Sequence, residues 1–403
     1  MKNKIELLAP AGSLEKLKIA VMYGADAVYI GGKFFSLRAR ANNFSMDDLK
    51  EGVEFAHQYN AKVYVTMNVA AREEDFNECN LIDYLKYLES IDVDGIIVSS
   101  MYIADVALNC TPKLEVHLST QASITNSEAI NYYADLGIDR VVLAREVNLD
   151  QIRLLTKKSK VGLEVFIHGG MCSSFSGRCM LSNYYVNRDA NRGGCAHSCR
   201  WNYNLYENGL FKERLVNKDG YFNIASKDLC AITLIKDLIE AGVESLKIEG
   251  RMKSEYYIAT VVRCYRRLID AIYNNEDIDY NYYLEEIKKA ENRETSTGFL
   301  KGSVTLEEQL YDSNDHPTKE FVGYVLDYDA DKRIATIEQR NHFKVGDTLE
   351  FFGPKLENTL YVVEKMWTVD GEDVEVAPHP KQVLQLKTDF VVSKGDMIRK
   401  KNS

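Results

Sequence analysis

Short β-branched, apolar runs alternate with amphipathic stretches from the start of the chain to about residue 275. Eight runs predict strands: Ile5–Ala9, Ala27–Gly31, Lys62–Asn68, Gly95–Ser99, Leu114–Ser119, Arg140–Ala144, Leu163–His168 and Ser245–Glu249. Most are continuously apolar, as strands buried on both faces are. Between them, helical spacing of apolar residues marks Ser13–Tyr23, Met46–Tyr59, Leu81–Ser90, Ser127–Leu136 and Asp150–Lys158. Ser13 and Ser127 read as N-caps, each opening a helix just after a strand-exit loop. The alternation predicts an α/β fold, a TIM-like (β/α)8 barrel. An open doubly wound sheet is the competing reading, but no Gly-x-Gly-x-x-Gly follows the first strand. One long interruption, 171–223, follows the seventh strand. That position places it at the C-terminal mouth, where barrel chemistry sits.

Ser254–Asn275 reads as a long final helix, with Arg263, Arg266 and Arg267 on a solvated face, and it ends the barrel domain, 1–275. Residues 276–319 read as a polar, Tyr-rich connecting segment. From Phe321 the pattern changes to short strands, with Gly-Asp turns at Gly346-Asp347 and Gly395-Asp396. A small β-barrel accessory domain over 320–403 is the expectation. It is similar to the barrels of translation factors, a type that often binds RNA.

At 403 residues the chain exceeds one ordinary core, consistent with a large and a small domain. Apolar content of 45% and charged content of 27% are those of a soluble globular protein. The N-terminus has no apolar signal region and no long uncharged apolar run follows, so a cytoplasmic protein without membrane contact is expected. A net charge of −10 argues against general affinity for nucleic acid. Any RNA contact has to come from a local patch. The interruption offers one: Arg178, Arg188, Arg192 and Arg200 stand against one acid, Asp189, between Cys172 and Trp201. Arg38 and Arg40, on the loop after the second strand, point to the same rim. The competing reading is that such arginines only brace an irregular loop.

Five cysteines carry the chemistry, spaced Cys172-x6-Cys179-x15-Cys195-x3-Cys199-x30-Cys230. In a reducing compartment, thiols gathered this way hold a metal or do redox chemistry. Zinc knuckles favour two close pairs, and only Cys195 and Cys199 make one. Long, irregular spacing suits a [4Fe–4S] cluster, which needs four converging sulfurs and no fixed knuckle. Zinc stays the alternative metal, and His197 an alternative ligand. Cys79, Cys110 and Cys264 read as small apolar residues. His168 ends the seventh strand and is expected to face the mouth as a base or an orienting donor. Glu249 ends the eighth, with Arg251 just beyond it. That Glu–Arg pair either binds a carboxylate-bearing small molecule or closes the barrel as an ion pair. Asn68, Gln121 and Arg145 also sit at strand ends and are expected to line the cavity. Neither His-Glu-x-x-His nor Gly-x-Ser-x-Gly occurs.

These motifs resemble the collagenase-like U32 peptidase family. The resemblance rests on Glu164-Val-Phe-Ile-His168-Gly-Gly-Met-Cys172, Gly177-Arg-Cys179, Arg188-Asp-x-Asn191-Arg-Gly-Gly-Cys195, Cys199-Arg-Trp201, Ser226-Lys-Asp-Leu-Cys230 and Lys247-Ile-Glu-Gly-Arg251-Met-Lys. Leu8-Ala-Pro-Ala-Gly12 and Ser296-Thr-Gly-Phe299 extend it over about residues 5–302. Within the family, the chain looks most like members that hydroxylate the wobble uridine of tRNA by an oxygen-independent, prephenate-dependent route. Relatives act on ribosomal RNA or on a ubiquinone precursor. The resemblance implies a [4Fe–4S] cluster on Cys172, Cys179, Cys195 and Cys230, with Cys199 the alternative fourth ligand. It further implies prephenate as co-substrate, the tRNA anticodon region as target, and a paralogous partner subunit as an open alternative. The peptidase reading has no protease constellation behind it here.

Overall fold

The computed structural model describes residues 4–37, 43–204, 206–207, 209–211, 222–291, 293–305, 308 and 317–401. Eight parallel strands close into the expected barrel: β1 (Glu6–Pro10), β2 (Ala27–Gly31), β3 (Lys62–Met67), β4 (Gly95–Val98), β5 (Glu115–Leu118), β6 (Arg140–Val142), β7 (Gly162–Gly169) and, later in the chain, Ser245–Ile248. That last strand pairs with both β7 and β1, which closes the ring. Helices α1 (Leu14–Met22), α2 (Met46–Gln58), α3 (Glu73–Glu78), α4 (Leu81–Ser90), α5 (Met101–Cys110), α6 (Ser127–Asp135) and α7 (Leu149–Lys158) lie between the strands. Ser13 caps α1 by accepting from Lys16 N–H. The cap of α6 is Asn126, which accepts from Ala129 N–H, so Ser127 is the first helical residue rather than the cap. Both side chains can accept at this position, and register decided between them.

Strand alternation separates two apolar layers. Leu8, Ala27, Tyr29, Tyr64 and Ile97 form one small buried cluster, apart from the larger one that contains Leu7, Val28, Ile30, Val63 and Ile96 together with helix residues. Consecutive residues of one strand thus divide between the lumen and the helix layer.

Within 171–223 lie the short helix α8 (Leu181–Val186) and a two-stranded ribbon, β8 (Tyr206–Glu207) and β9 (Leu210–Phe211). The chain then returns as β10 (Asp228–Cys230), antiparallel to the upper end of β7. This is possible because β6 stops at Val142, short of the expected Ala144, and leaves that edge of β7 unpaired. Helix α9 (Ile235–Ala241) leads into β11, which is Ser245–Ile248.

Helix α10 (Glu255–Tyr273) follows, but its arginines are not a solvated face. Arg263 is buried and donates to the Gly353 and Leu356 carbonyls at 2.7 and 2.8 Å. Arg267 pairs with Glu357 at 2.6 Å, and Arg266 with Asp26 at 2.8 Å. Two of the three therefore fasten the C-terminal region, which sequence periodicity could not reveal. The described part of the expected connecting segment, 276–319, holds secondary structure. It holds α11 (Tyr280–Lys288) and β12 (Thr295–Ser296), which pairs with β10. Beyond it, an antiparallel eight-stranded sheet surrounds its own core, which includes Val322, Ile337, Phe351 and Leu386. No described helix is long and apolar enough to cross a membrane.

Candidate active-site mouth and thiol group

The barrel lumen is charged as well as apolar. Glu164 and Lys247 are buried and joined at 2.7 Å. Arg140, also buried, reaches Glu6 at 2.6 Å and Glu164 at 3.5 Å. The Lys247 and Arg140 charges hold the Glu164 carboxyl below its ordinary range despite the opposing effect of burial. Lys247 also lies 4.5 Å from the Tyr29 ring centroid. This network is the floor under the mouth.

Above it, Arg251 crosses from the β11 exit to β3. Its guanidinium donates to Thr66 Oγ1 at 2.9 Å and Ser36 Oγ at 3.2 Å. Gly31 makes room for the crossing, since a Cβ there would collide with Arg251 Nη1. Tyr29 OH donates to the Glu249 carboxylate at 3.1 Å. Asn68 and Gln121 meet each other at 3.4 Å, and Asn68 also accepts from Leu37 N–H. The Arg145 guanidinium lies 3.8 Å above the Phe166 ring and donates to the Gly170 carbonyl. Glu249, Arg251, Asn68, Gln121 and Arg145 therefore all stand on the mouth side of the strands.

His168 does not face the mouth. The register between β7 and β11 slips between Lys247 and Ile248, so that Phe166 opposes Lys247 while His168 opposes Ile248. This irregularity inserts one residue and reverses the alternation. His168 turns outward beneath α10. There its Nδ1 meets Tyr265 OH at 3.2 Å and its Nε2 lies 3.2 Å from the Glu291 carboxyl. That second approach is a close contact rather than an aligned hydrogen bond, because Nε2 has no partner of good geometry. Complete burial, with Lys253 nearby, lowers its pKa to about 3, so the ring is neutral.

The thiols divide into two sets. Cys172, Cys179, Cys195 and Cys199 lie within electrostatic range of one another, in the chain of pairs 172–179, 172–199, 179–199 and 195–199. Backbone N–H groups already point at two of them, Ser174 N to Cys172 Sγ and Leu181 N to Cys179 Sγ, both at 3.4 Å. Burial raises the Cys172 and Cys199 thiols above their ordinary range. Among the described residues, no three His, Cys, Asp or Glu side chains are grouped closely enough to share one ion. Cys230 belongs elsewhere. β10 sets it opposite His168, where it is buried, 3.9 Å from Tyr265 OH, and pushed up to about 12 by desolvation. Cys230, the expected fourth ligand, is thus placed apart from the other three, while Cys199, its alternative, lies in electrostatic range of them. A spacing read along the chain cannot show that β10 turns its last residue into the α10 interface.

The four insertion arginines also part company. Arg192 is locked onto Asp75 at 2.6 Å and Glu74 at 3.2 Å, a bracing role rather than an open RNA contact. Arg200 reaches Asp228 at 3.3 Å, with its Nη1 buried and unpartnered. Arg178 is exposed, and Arg188 is half-buried with an unpartnered Nε. Arg38 and Arg40 lie outside the described residues. Four residues that the sequence reading overlooked join the site: Ser36, Thr66, Asp228 and Arg293. Asp228 is buried among Arg200, Arg293 and Lys253. Only its place two residues before Cys230 in the Ser-Lys-Asp-Leu-Cys motif signalled it.

Comparison with known proteins follows the same division of the chain. Residues 12–309 match the model of Peptidase family U32, and residues 317–399 that of the Peptidase family U32 C-terminal domain. The chain is 47% identical over 403 residues to tRNA hydroxylation protein P1 of Bacillus subtilis (strain 168), covering 99% of this chain and 95% of that one. It is 31% identical over 420 residues to tRNA hydroxylation protein P of Escherichia coli (strain K12), covering 93% and 92%. It is also 32% identical over 384 residues to a protein named Collagenase from Porphyromonas gingivalis (strain ATCC BAA-308 / W83), covering 90% of each. Both parts of the chain, barrel and C-terminal sheet, thus place it in peptidase family U32.

Proposed function

We propose that this protein hydroxylates RNA, converting the wobble uridine of tRNA to 5-hydroxyuridine without molecular oxygen. Prephenate is the proposed co-substrate. Similarity along nearly the whole chain to proteins named for tRNA hydroxylation supports the reaction class. The observation that carries the site is Arg145. It donates to the Gly170 carbonyl at the mouth and acts electrostatically on Cys172, so thiol group and mouth adjoin.

The donor set fits a [4Fe–4S] cluster held by Cys172, Cys179, Cys195 and Cys199. Backbone N–H groups aimed at two of the sulfurs would stabilise thiolates. Three thiols in range of Cys199, with no three described ligand side chains converging on one point, suit a cube better than a single zinc ion. Bound there, the cluster would supply Lewis acidity or electron transfer beside the mouth. This chain's own residues do the rest. The uridine has to leave its stack to reach the mouth. Arg251, fixed by Ser36 and Thr66, and Arg145, fixed on Phe166, present guanidinium groups to a carboxylate-bearing co-substrate. The Asn68–Gln121 pair offers amide groups suited to a uracil edge. Glu249, oriented by Tyr29, is the acid–base candidate. His168, neutral and turned away, is a positioning residue.

The collagenase reading gains less support, because burial raises the Cys172 and Cys199 thiols above their ordinary range and so disfavours a free nucleophilic thiolate. Nucleoside analysis of tRNA from a deletion strain tests the proposal, with complementation by wild type and by Cys172→Ser. The expected result is loss of 5-hydroxyuridine, restored by wild type alone. Unchanged 5-hydroxyuridine in a strain lacking every paralogue would sink it. If the modification disappears but also needs a second chain in a purified system, the partner-subunit alternative gains.

A further inference from the structure

Around the thiol group, the insertion exposes more aromatic surface than a folded loop needs. Tyr184 is 80% exposed, Tyr206 62%, Tyr185 54% and Trp201 38%. Two of them pack together, and Tyr184 adjoins them on α8. Tyr185 packs edge-on against Trp201 at 5.9 Å between ring centroids and tilts against Tyr203 at 5.8 Å. Tyr203 is pinned in turn by its hydroxyl, which donates to the Ser198 carbonyl at 2.7 Å. That carbonyl belongs to the turn carrying Cys199 and Arg200, and Arg200 reaches Asp228 at the mouth. A rigid aromatic base with open faces thus stands beside the thiols and next to the barrel opening.

Charge selects the occupant. The chain is acidic overall, yet the stretch Cys172–Trp201 carries four arginines and one acid. Two of those arginines, exposed Arg178 and half-buried Arg188, flank α8, which bears Tyr184 and Tyr185. Neither has a carboxylate partner among the described residues. Aromatic faces interleaved with free guanidinium groups bind single-stranded nucleic acid, because every base has a stacking face and every linkage a phosphate. We infer that Tyr184, Tyr185 and Trp201 form a stacking platform for unpaired RNA bases, with Arg178 and Arg188 on the adjoining phosphates. The inference rests on the RNA reading above and deepens it. Pulling one base into the mouth strips its neighbours of a stacking partner, and the platform replaces that partner.

Full-length protein, kept anaerobic and reduced, is titrated into a fluorescein-labelled anticodon stem-loop RNA with uridine at the wobble position. Tyr184→Ala and Trp201→Ala should each weaken binding about tenfold, with the salt dependence unchanged. Tyr184→Phe should restore it. Tyr132→Ala, an exposed tyrosine on α6, should have no effect. Arg178→Ala should weaken binding and lower the salt slope by about one. Thermal melting of each variant checks its fold, and Tyr184, 80% exposed, contributes little burial to lose. Wild-type RNA affinity in both alanine variants overturns the platform while leaving the RNA reading intact. So does a self-association, seen by light scattering, that these variants abolish without changing RNA affinity. Failure of the wild type to bind the stem-loop at all overturns both.

Discussion

His168 shows how one residue's environment outweighs its identity. A histidine at a strand end usually titrates near neutral pH, yet this one is sealed beneath α10 and held neutral until about pH 3. Its folded-state pKa lies below the ordinary value of 6.5, so between those limits the unfolded chain binds the extra proton. Stability should therefore fall as pH drops from about 6.5 towards 3, with a slope approaching one proton. Chemical denaturation of wild type and His168→Gln across that range checks this: the variant should show the shallower slope. Lys247 makes the opposite point. It and its partner Glu164 both stand in motifs legible in the sequence, Lys247-Ile-Glu-Gly-Arg251 and Glu164-Val-Phe-Ile-His168, but their pairing is not. Lys247→Met would strand a buried carboxylate that retains only the longer contact to Arg140. It should cost about 3–5 kcal/mol, read as a lowered denaturation midpoint.

Among the elements, β6 and β10 decide the site. Because β6 ends at Val142, the upper edge of β7 is open and β10 fills it, carrying Cys230 under α10 and Asp228 to the rim. Iron and sulfide should therefore be lost from anaerobically purified Cys199→Ser and retained in Cys230→Ser. The reverse pattern would return Cys230 to the ligand set. The end of β7 is equally constrained. Gly169 has a φ of +99°, and a Cβ there would run into the Glu249 carbonyl. Gly169→Ala should cost at least about 1–3 kcal/mol and displace Glu249, seen as a lower melting temperature together with reduced turnover. The eight strands were legible because each is a short apolar run. The register slip in β7 was not, because an inserted residue leaves the apolar pattern of Val165, Phe166 and Ile167 unchanged.

At the scale of the molecule, the barrel and the C-terminal sheet are joined by buried charge. Arg399, fully buried, reaches Glu350 at 2.8 Å and Glu286 of α11 at 2.9 Å, and Arg263 adds its bonds to the Gly353 and Leu356 carbonyls. Removing one partner of such a set leaves the rest uncompensated. Arg399→Met should split unfolding into two calorimetric transitions, the C-terminal sheet melting first, where wild type unfolds in one. A single transition at the wild-type temperature would show that the network does not couple the two parts. Residues 276–319 have the polarity of a connector. That polarity serves this junction and the site wall, through Glu286, Glu291 and Arg293.

Strand count, the place of the long interruption, the cysteine motifs and most of the mouth residues are determined by the sequence alone. Local patterning and short motifs carry them, and both survive without knowledge of distant neighbours. Which thiols face one another, which way His168 turns and which arginines remain open were decided only by the tertiary structure. Each depends on a partner far along the chain: Asp75 for Arg192, Tyr265 for His168, and the edge of β7 for Cys230. Burial and pairing there are settled by where the fold brings the groups, and no spacing between neighbours in sequence encodes that.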